Sequence, residues 1–506
     1  MLLHPVLVAK HQISVLSSIH HKPLVPRITS WEYDAVGEPR NCLPDPQWCR
    51  GQKMNTGRLF GTSGIRGVVG AELSSDFWQR VGLAIGATLP PAATVCIATD
   101  TRISRDMIKE AVCAGLLSSG INVADLCILP TPALAALTRQ LGFATGIMVT
   151  ASHNPPEFNG IKLFAGNSMG YSQTQEMEIE RVYFEERFRQ DKKGTFQQVK
   201  DTRNEYLSFL RRKAAPRESN GCLRVVVDPG NGAASGFASD IFARMGLEVI
   251  PVNDQPDGHF PGRSPEPKED TLRGTVDFLR QRNGDLAICF DGDADRVVFC
   301  DREGFLGFNE PIAFISTLAV KKTGKKTIAT TVESGRLLDL AVKDLGAQVV
   351  RGRVGDASVA HLAQEIDAAL GVEQVGVYIF PDVGYYPDSI FASLFLLNHL
   401  KDVGEIRQFI RGLPALSFEK TKVACPNDLK ESVMAQVKGD AHSLGKGKVN
   451  TLDGLRVDFS DSWVLIRASG TEPVIRIICE SPSHARSTEL LNKGQKLVRS
   501  LVEVNA

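Results

Sequence analysis

The chain has ten cysteines among its 506 residues, yet no Cys-x-x-Cys pair. Most sit in apolar segments, such as Cys96, Cys289, Cys300 and Cys479, where a reduced cysteine behaves as a small hydrophobe. That distribution speaks against zinc frameworks and disulfide scaffolds, and for a reduced, cytoplasmic protein. No apolar run approaches the roughly 18 residues needed to span a bilayer. The opening stretch, residues 1–9, is broken by His4 and Pro5 and makes a poor signal-peptide core. Net charge is absent too: 58 basic residues cancel 58 acidic ones. No general attraction to nucleic acid or membrane lipid follows, so any basic site must be local. What remains is ordinary globular composition, 43% hydrophobic and 23% charged. The length suits about three or four domains of roughly 150 residues.

Residues 1–53 hold four of the ten histidines, several prolines and no sustained period of 2 or 3.6. They read as a poorly ordered extension, or as sequence upstream of a start at Met54; a regulatory or targeting arm is the alternative. From Leu59 onward, short apolar β-branched runs alternate with glycine or proline and then with helical stretches. Strands are expected at 94–98, 122–128, 146–150, 223–227, 248–252, 286–290, 327–331 and 348–350, with a helix at 107–118. This alternation argues for parallel α/β layers, and its recurrence for repeated α/β domains, although no direct sequence repeat is visible. After about residue 413 come short strands at 420–424, 449–452, 455–459, 463–467 and 475–480, then a helix at 489–504, which suggests a small α+β domain.

Four loops carry chemistry. In Gly61-Thr-Ser-Gly-Ile-Arg-Gly67, the glycines let the backbone approach an anion and Arg66 offers a bidentate phosphate donor; a plain tight turn is the competing reading. Thr150-Ala-Ser-His-Asn-Pro-Pro156 follows a strand, where ligands collect in α/β sheets. Ser152 is expected to be exposed there, with Lys162 on the returning strand, and the Gly-x-Ser-x-Gly elbow of a serine hydrolase is absent. A turn of capping side chains would look similar. Asp291-Gly-Asp-Ala-Asp-Arg296 places three alternating carboxylates after a buried strand, where they would raise one another's pKa without a cation. Oxygen-only ligands favour a hard ion such as Mg²⁺. An EF-hand would need Gly and Glu where Arg296 and Arg302 stand. Finally, Arg467-Ala-Ser-Gly-Thr-Glu-Pro473 and Arg476 combine Ser469, Gly470 and Thr471 donors with two guanidinium groups, a set that fits a phosphate dianion or a polar hairpin.

Together these loops describe phosphoryl transfer, and in this order the sequence resembles the α-D-phosphohexomutase family of phosphoglucomutases, phosphomannomutases and phosphoglucosamine mutases. The match runs from Leu59 to about residue 500. Val227-Asp-Pro-Gly-Asn-Gly-Ala233 and Pro256-Asp-Gly-His-Phe-Pro261 look like its archaeal branch. The resemblance implies three related α/β domains with mixed sheets (54–205, 206–305 and 306–412) and a C-terminal α+β phosphate-binding domain (413–506) around a central cleft. It implies Ser152 as phosphoserine, and Mg²⁺ held by Asp291, Asp293, Asp295 and a phosphoserine oxygen. Arg66, Lys162 and Arg296 would surround the transferring group. Arg467, Ser469, Gly470, Thr471 and Arg476 would hold the other phosphate, and Glu373 would read sugar hydroxyls. The partner would be a hexose phosphate, reacting through a sugar 1,6-bisphosphate.

Three residues depart from the family pattern: Val372 and Val375 in the sugar loop, and Ser389 where Asp-Gly is expected. Val354-Gly-Asp356 and Glu373-Gln374 resemble phosphoglucosamine mutases, so glucosamine phosphate is the expected substrate, with mannose and glucose phosphates as the alternative. A weakly catalytic sugar-phosphate binder and a magnesium phosphatase using Asp291 are the competing readings from other classes.

Overall fold

The computed structural model describes residues 58–61, 63–70, 73–190, 192–214, 223–470 and 472–505. The expected extension, residues 1–53, lies outside the described residues, as does Thr471. Four sheets follow one another along the chain. The first holds β1 (Ile65–Val68), β2 (Thr94–Thr99), β3 (Asn122–Ile128), β4 (Thr145–Val149), β5 (Phe158–Ala165) and β6 (Phe196–Gln198). The second holds β7 (Arg224–Asp228), β8 (Glu248–Pro251), β9 (Leu286–Phe290), β10 (Val297–Asp301) and β11 (Gly304–Phe305). The third holds β12 (Thr327–Thr331), β13 (Gln348–Gly352), β14 (Leu370–Glu373) and β15 (Val377–Ile379). The fourth, entirely antiparallel, holds β16 (Ser417–Ala424), β17 (Lys448–Asn450), β18 (Leu455–Asp458), β19 (Trp463–Ala468) and β20 (Val474–Ser481).

The first three sheets share one topology that no sequence repeat betrays. A central strand pairs in parallel on both sides, and the last strand returns antiparallel: β3-β2-β4-β5, β8-β7-β9-β10 and β13-β12-β14-β15. Each antiparallel return is entered through a loop at the C-terminal end of a parallel strand. Those loops are 150–157, 291–296 and 374–376, so the fold presents the Ser152, Asp291 and Glu373 segments in equivalent places. The strand pattern read from the sequence lacks β1, β6, β10, β11, β14 and β15; β10 and β15 directly follow the 291–296 and 374–376 turns, and β14 leads into the second of these. At the other end, the last helix is His484–Asn505, five residues longer at its start than expected. Its first turn is polar and exposed, hence invisible to apolar periodicity, and Ser483 Oγ caps the Arg486 N–H.

Parallel strands covered on both faces are apolar throughout. Every residue of β4 and of β9 is accordingly buried. One hydrophobic core runs through the first three sheets, including Ala98, Val227, Phe290, Leu370 and Leu397. The fourth sheet packs its own core of Val433, Val457, Ile466, Ile477 and Leu490 against the last helix. Among the described residues, no helix is long and apolar enough to cross a membrane.

Candidate active site

Ser152 is not exposed, as the turn suggested, but fully buried. The asparto-loop covers it: a Cβ on Gly292 would fall 2.4 Å from the Ser152 carbonyl oxygen, so only glycine fits there. The residue holds φ +53°, a conformation that costs a non-glycine residue energy unless its surroundings fix it. They do. Its N–H donates to Thr150 Oγ1 (2.8 Å), and Thr150 Oγ1 donates to Asp100 Oδ2 (2.7 Å). The Arg102 guanidinium, also fully buried, pairs with Asp100 and donates to four carbonyls of the loop, those of Ser152 (2.8 Å), Asn154 (2.6 Å), Pro155 (2.5 Å) and Phe158 (2.8 Å). Ser152 Oγ then donates to Asp291 Oδ2 at 2.7 Å. His153 Nδ1 lies 3.4 Å from the same hydroxyl. Burial, with Arg296, Arg66 and Lys162 nearby, pushes the His153 pKa down to about 2, so its ring stays neutral.

Asp291, Asp293 and Asp295 are buried and offer one oxygen each within 4.8 Å of one another. Asp293 Oδ1 and Asp295 Oδ1 are buried without a hydrogen-bond partner. An oxygen-only set with orphaned carboxylate oxygens fits a hard divalent cation. Lys162, on β5, donates to Asp293 Oδ2 (2.7 Å) and to Asp295 Oδ2. Burial opposes its charge, but the two aspartates outweigh that and hold its pKa above the usual lysine value. The three acids do not behave alike, as mutual repulsion alone would require. Burial and the neighbouring acids raise Asp291 and Asp295, whereas at Asp293 burial is outweighed by Lys162 and the Thr131 hydroxyl (2.6 Å), which lower it. Arg296 Nε lies 3.9 Å from Asp295 Oδ1 and is buried without a hydrogen-bond partner.

In the glycine-rich loop, one glycine is required by packing. Gly64 has φ +87°, and a Cβ there would strike the Ile161 carbonyl oxygen at 2.1 Å. Its glycine thus serves the close packing of β1 on β5. Arg66 sits on β1 opposite Gly160 and reaches Asn154 Oδ1 at 3.5 Å, beside the Ser152 turn.

Glu373, at the end of β14, is buried and accepts from the Gly355 N–H at 2.9 Å. Burial first, then Asp356, raises its carboxyl to about 7. Val372 is buried, and its carbonyl accepts from Thr330 Oγ1; Val375 is exposed. Ser389 is buried at the start of the helix Ser389–His399, and its hydroxyl donates to Ala294 O.

Arg467, Ser469, Gly470 and Arg476 gather on the β19–β20 hairpin, a second group on another sheet. Arg467 pairs with Asp453 (3.1 Å) and with Glu333 of the third sheet (3.3 Å), and Arg476 pairs with Glu472 (2.8 Å). Sequence reasoning missed Asp100, Arg102, Thr131 and Arg263. Arg263 serves the aspartate loop as Arg102 serves the serine loop, bonding Asp228 Oδ2 (2.9 Å) and the Phe290 carbonyl (2.7 Å). Only their repeated use at the ends of β2 and β7 identifies these arginines, and no spacing in the chain signals it.

Four family models match in succession: phosphoglucomutase/phosphomannomutase alpha/beta/alpha domains I, II and III over residues 57–190, 204–304 and 310–414, and the C-terminal domain over 421–493. The chain belongs to this family. It is a phosphohexomutase, as its four motifs implied. It is 37% identical over 451 residues to a "Probable phosphoglucosamine mutase" of Methanopyrus kandleri, covering 88% of this chain and 99% of that one. A "Phosphoglucomutase/phosphomannomutase" of Thermococcus kodakarensis is 36% identical over 456 residues, covering 88% of this chain and 100% of the relative. Among solved structures, a phosphoglucomutase/phosphomannomutase family protein from Burkholderia thailandensis superposes with a TM-score of 0.77 at 26% identity, over 88% of this chain and 98% of that one.

Proposed function

We propose that the enzyme interconverts glucosamine 6-phosphate and glucosamine 1-phosphate through phosphorylated Ser152 and a sugar 1,6-bisphosphate. The hydrogen bond from Ser152 Oγ to Asp291 Oδ2 carries the reading, since it sets the serine oxygen against the acidic triad. Asp291, Asp293 and Asp295, with an oxygen on Ser152, would hold Mg²⁺. The ion supplies electrostatic stabilisation of charge on a transferring phosphoryl group. Arg66, Lys162 and Arg296 add positive charge around that group, which is the main protein contribution in phosphoryl transfer. Ser152 passes its phosphoryl group to the sugar, the bisphosphate turns over, and Ser152 takes back the other phosphoryl group. Arg467, Ser469, Gly470, Thr471 and Arg476 grip the phosphate that is not reacting, whichever end of the sugar bears it. Glu373 accepts from sugar hydroxyls. Three α/β domains over 54–205, 206–305 and 306–412 and a C-terminal domain over 413–506 complete the reading. Free thiols at the seven described cysteines support a reducing, cytoplasmic setting.

Glucosamine is supported by Val354-Gly-Asp356 and Glu373-Gln374, and by the name of the Methanopyrus relative. The Thermococcus relative favours the second reading, mannose and glucose phosphates. The deciding measurement is kcat/KM for the three 6-phosphates under one coupled assay. A tenfold preference for mannose or glucose, about 1.4 kcal/mol of transition-state discrimination, overturns the glucosamine assignment and leaves the mutase standing.

A further inference from the structure

The aspartate loop is gripped peptide by peptide from different sheets. Ala233 N–H donates to Gly292 O (2.8 Å), and Thr131 N–H donates to Asp293 O (2.9 Å). The next carbonyl, that of Ala294, takes the Ser389 hydroxyl at 2.5 Å. Val297 N–H then donates to Gly376 O (2.9 Å). Ala294 is the residue between Asp293 and Asp295, and it holds φ +58°, a conformation that a non-glycine residue keeps only under constraint. Flipping or relaxing its peptide would swing the two carboxylates apart.

We propose that Ser389 is a positioning residue for the cation site, fixing the Ala294 peptide so that Asp293 and Asp295 serve one ion together. The inference rests on the reading of the aspartate triad as a cation site. Ser389 is well placed for such work because its own position is over-determined. It opens the helix Ser389–His399, whose N-cap Asp388 accepts from Phe391 N–H at 2.8 Å. Tyr206 Oη donates to both Asp388 oxygens (2.8 and 2.9 Å), which ties the helix start to the helix Thr202–Lys213. Ser393 Oγ holds the Ser389 carbonyl at 2.8 Å. The hydroxyl is fully buried, so its loss leaves the Ala294 carbonyl without water to replace it. A glycine here would leave the Ala294 carbonyl unpaired.

The test is Mn²⁺ binding, followed by electron paramagnetic resonance of the free ion, to the full chain and to Ser389→Ala, Ser389→Gly and Ser389→Thr. Outer-shell partners are typically worth about 10- to 100-fold in metal affinity, so alanine and glycine should weaken binding by roughly tenfold or more, and threonine, which keeps the hydroxyl, should restore most of it. Saturating Mg²⁺ should recover turnover in the alanine variant with the sugar-phosphate KM unchanged, a rescue that general misfolding would not allow. Mn²⁺ affinities equal to wild type in both the alanine and glycine variants would overturn the role of Ser389. Absence of Mn²⁺ binding by the wild type itself would instead overturn the cation reading, and the inference with it.

Discussion

The Ser152–aspartate centre and the β19–β20 hairpin, both proposed to meet phosphate, are built differently. At the first, Ser152, Lys162 and the three aspartates are buried, Arg66 and Arg296 are half-buried, and Lys162 links β5 to Asp293 and Asp295. At the second, each arginine is held by carboxylates, buried Arg467 by half-buried Asp453 and Glu333, and Arg476 by Glu472, their side chains 40% and 42% exposed. Breaking a buried, multiply bonded charge is expensive, whereas exchanging an exposed carboxylate for a phosphate costs little. A reacting centre gains from fixed groups that need no reorganisation. A cradle that must take either end of a sugar gains from partners it can release.

The contrast breaks most sharply at Ser152. Ser152→Ala should lower turnover by roughly a thousandfold or more, because covalent transfer loses its carrier. Intact mass should show one phosphate on the wild type and none on the variant; near-normal activity with a phosphate elsewhere would refute the centre. Next comes Asp293→Ala, which strands Lys162 as a buried, half-paired cation. Losing one partner of such a pair costs about 3–5 kcal/mol, so the melting temperature should fall along with activity. A variant as stable as wild type would show the centre to be less rigid than described.

On the phosphate loop the effects should be smaller and fall on substrate binding. Arg467→Ala should lower kcat/KM by about 10- to 100-fold, the range of a charge-assisted hydrogen bond of about 1.5–3 kcal/mol. Glu333→Gln should do the reverse, loosening Arg467 for the substrate and reducing KM up to roughly fivefold, as a pair worth about 0.2–1 kcal/mol allows. An increased KM would mean that Glu333 orients Arg467 and does not compete for it.

Glu373 sharpens the comparison between the two regions through pH. Its pKa is raised to about 7, so the carboxylate proposed to accept from sugar hydroxyls is lost as pH falls through that value. kcat/KM should therefore decline by about tenfold from about pH 8 to about pH 6, and Glu373→Gln should flatten that limb while lowering its plateau. An unchanged profile in the variant would assign the titration to another group.

Much of this protein was legible in local sequence. The buried strands at 286–290 and 145–149 stand close to where apolar runs place them, because burial of both faces of a strand leaves a largely apolar signature. The serine turn, the aspartate loop and the arginine hairpin could likewise be read, since each is a run of neighbours whose residue types and spacing suit one chemistry. What adjacency could not show is what these loops meet. Thr131 and Asp293 are 162 residues apart, and Lys162 and Asp293 are 131 apart. Such contacts depend on which sheets pack together and in what orientation, which periodicity along the chain does not encode. Tertiary structure alone decided that Ser152 is covered, that Gly64 serves strand packing, that Arg102 and Arg263 brace the two loops, and that Ser389 reaches the Ala294 carbonyl. The physical reason is the same in each case: a buried polar group must find a partner wherever the fold brings one, and distance along the chain sets no limit on where that is.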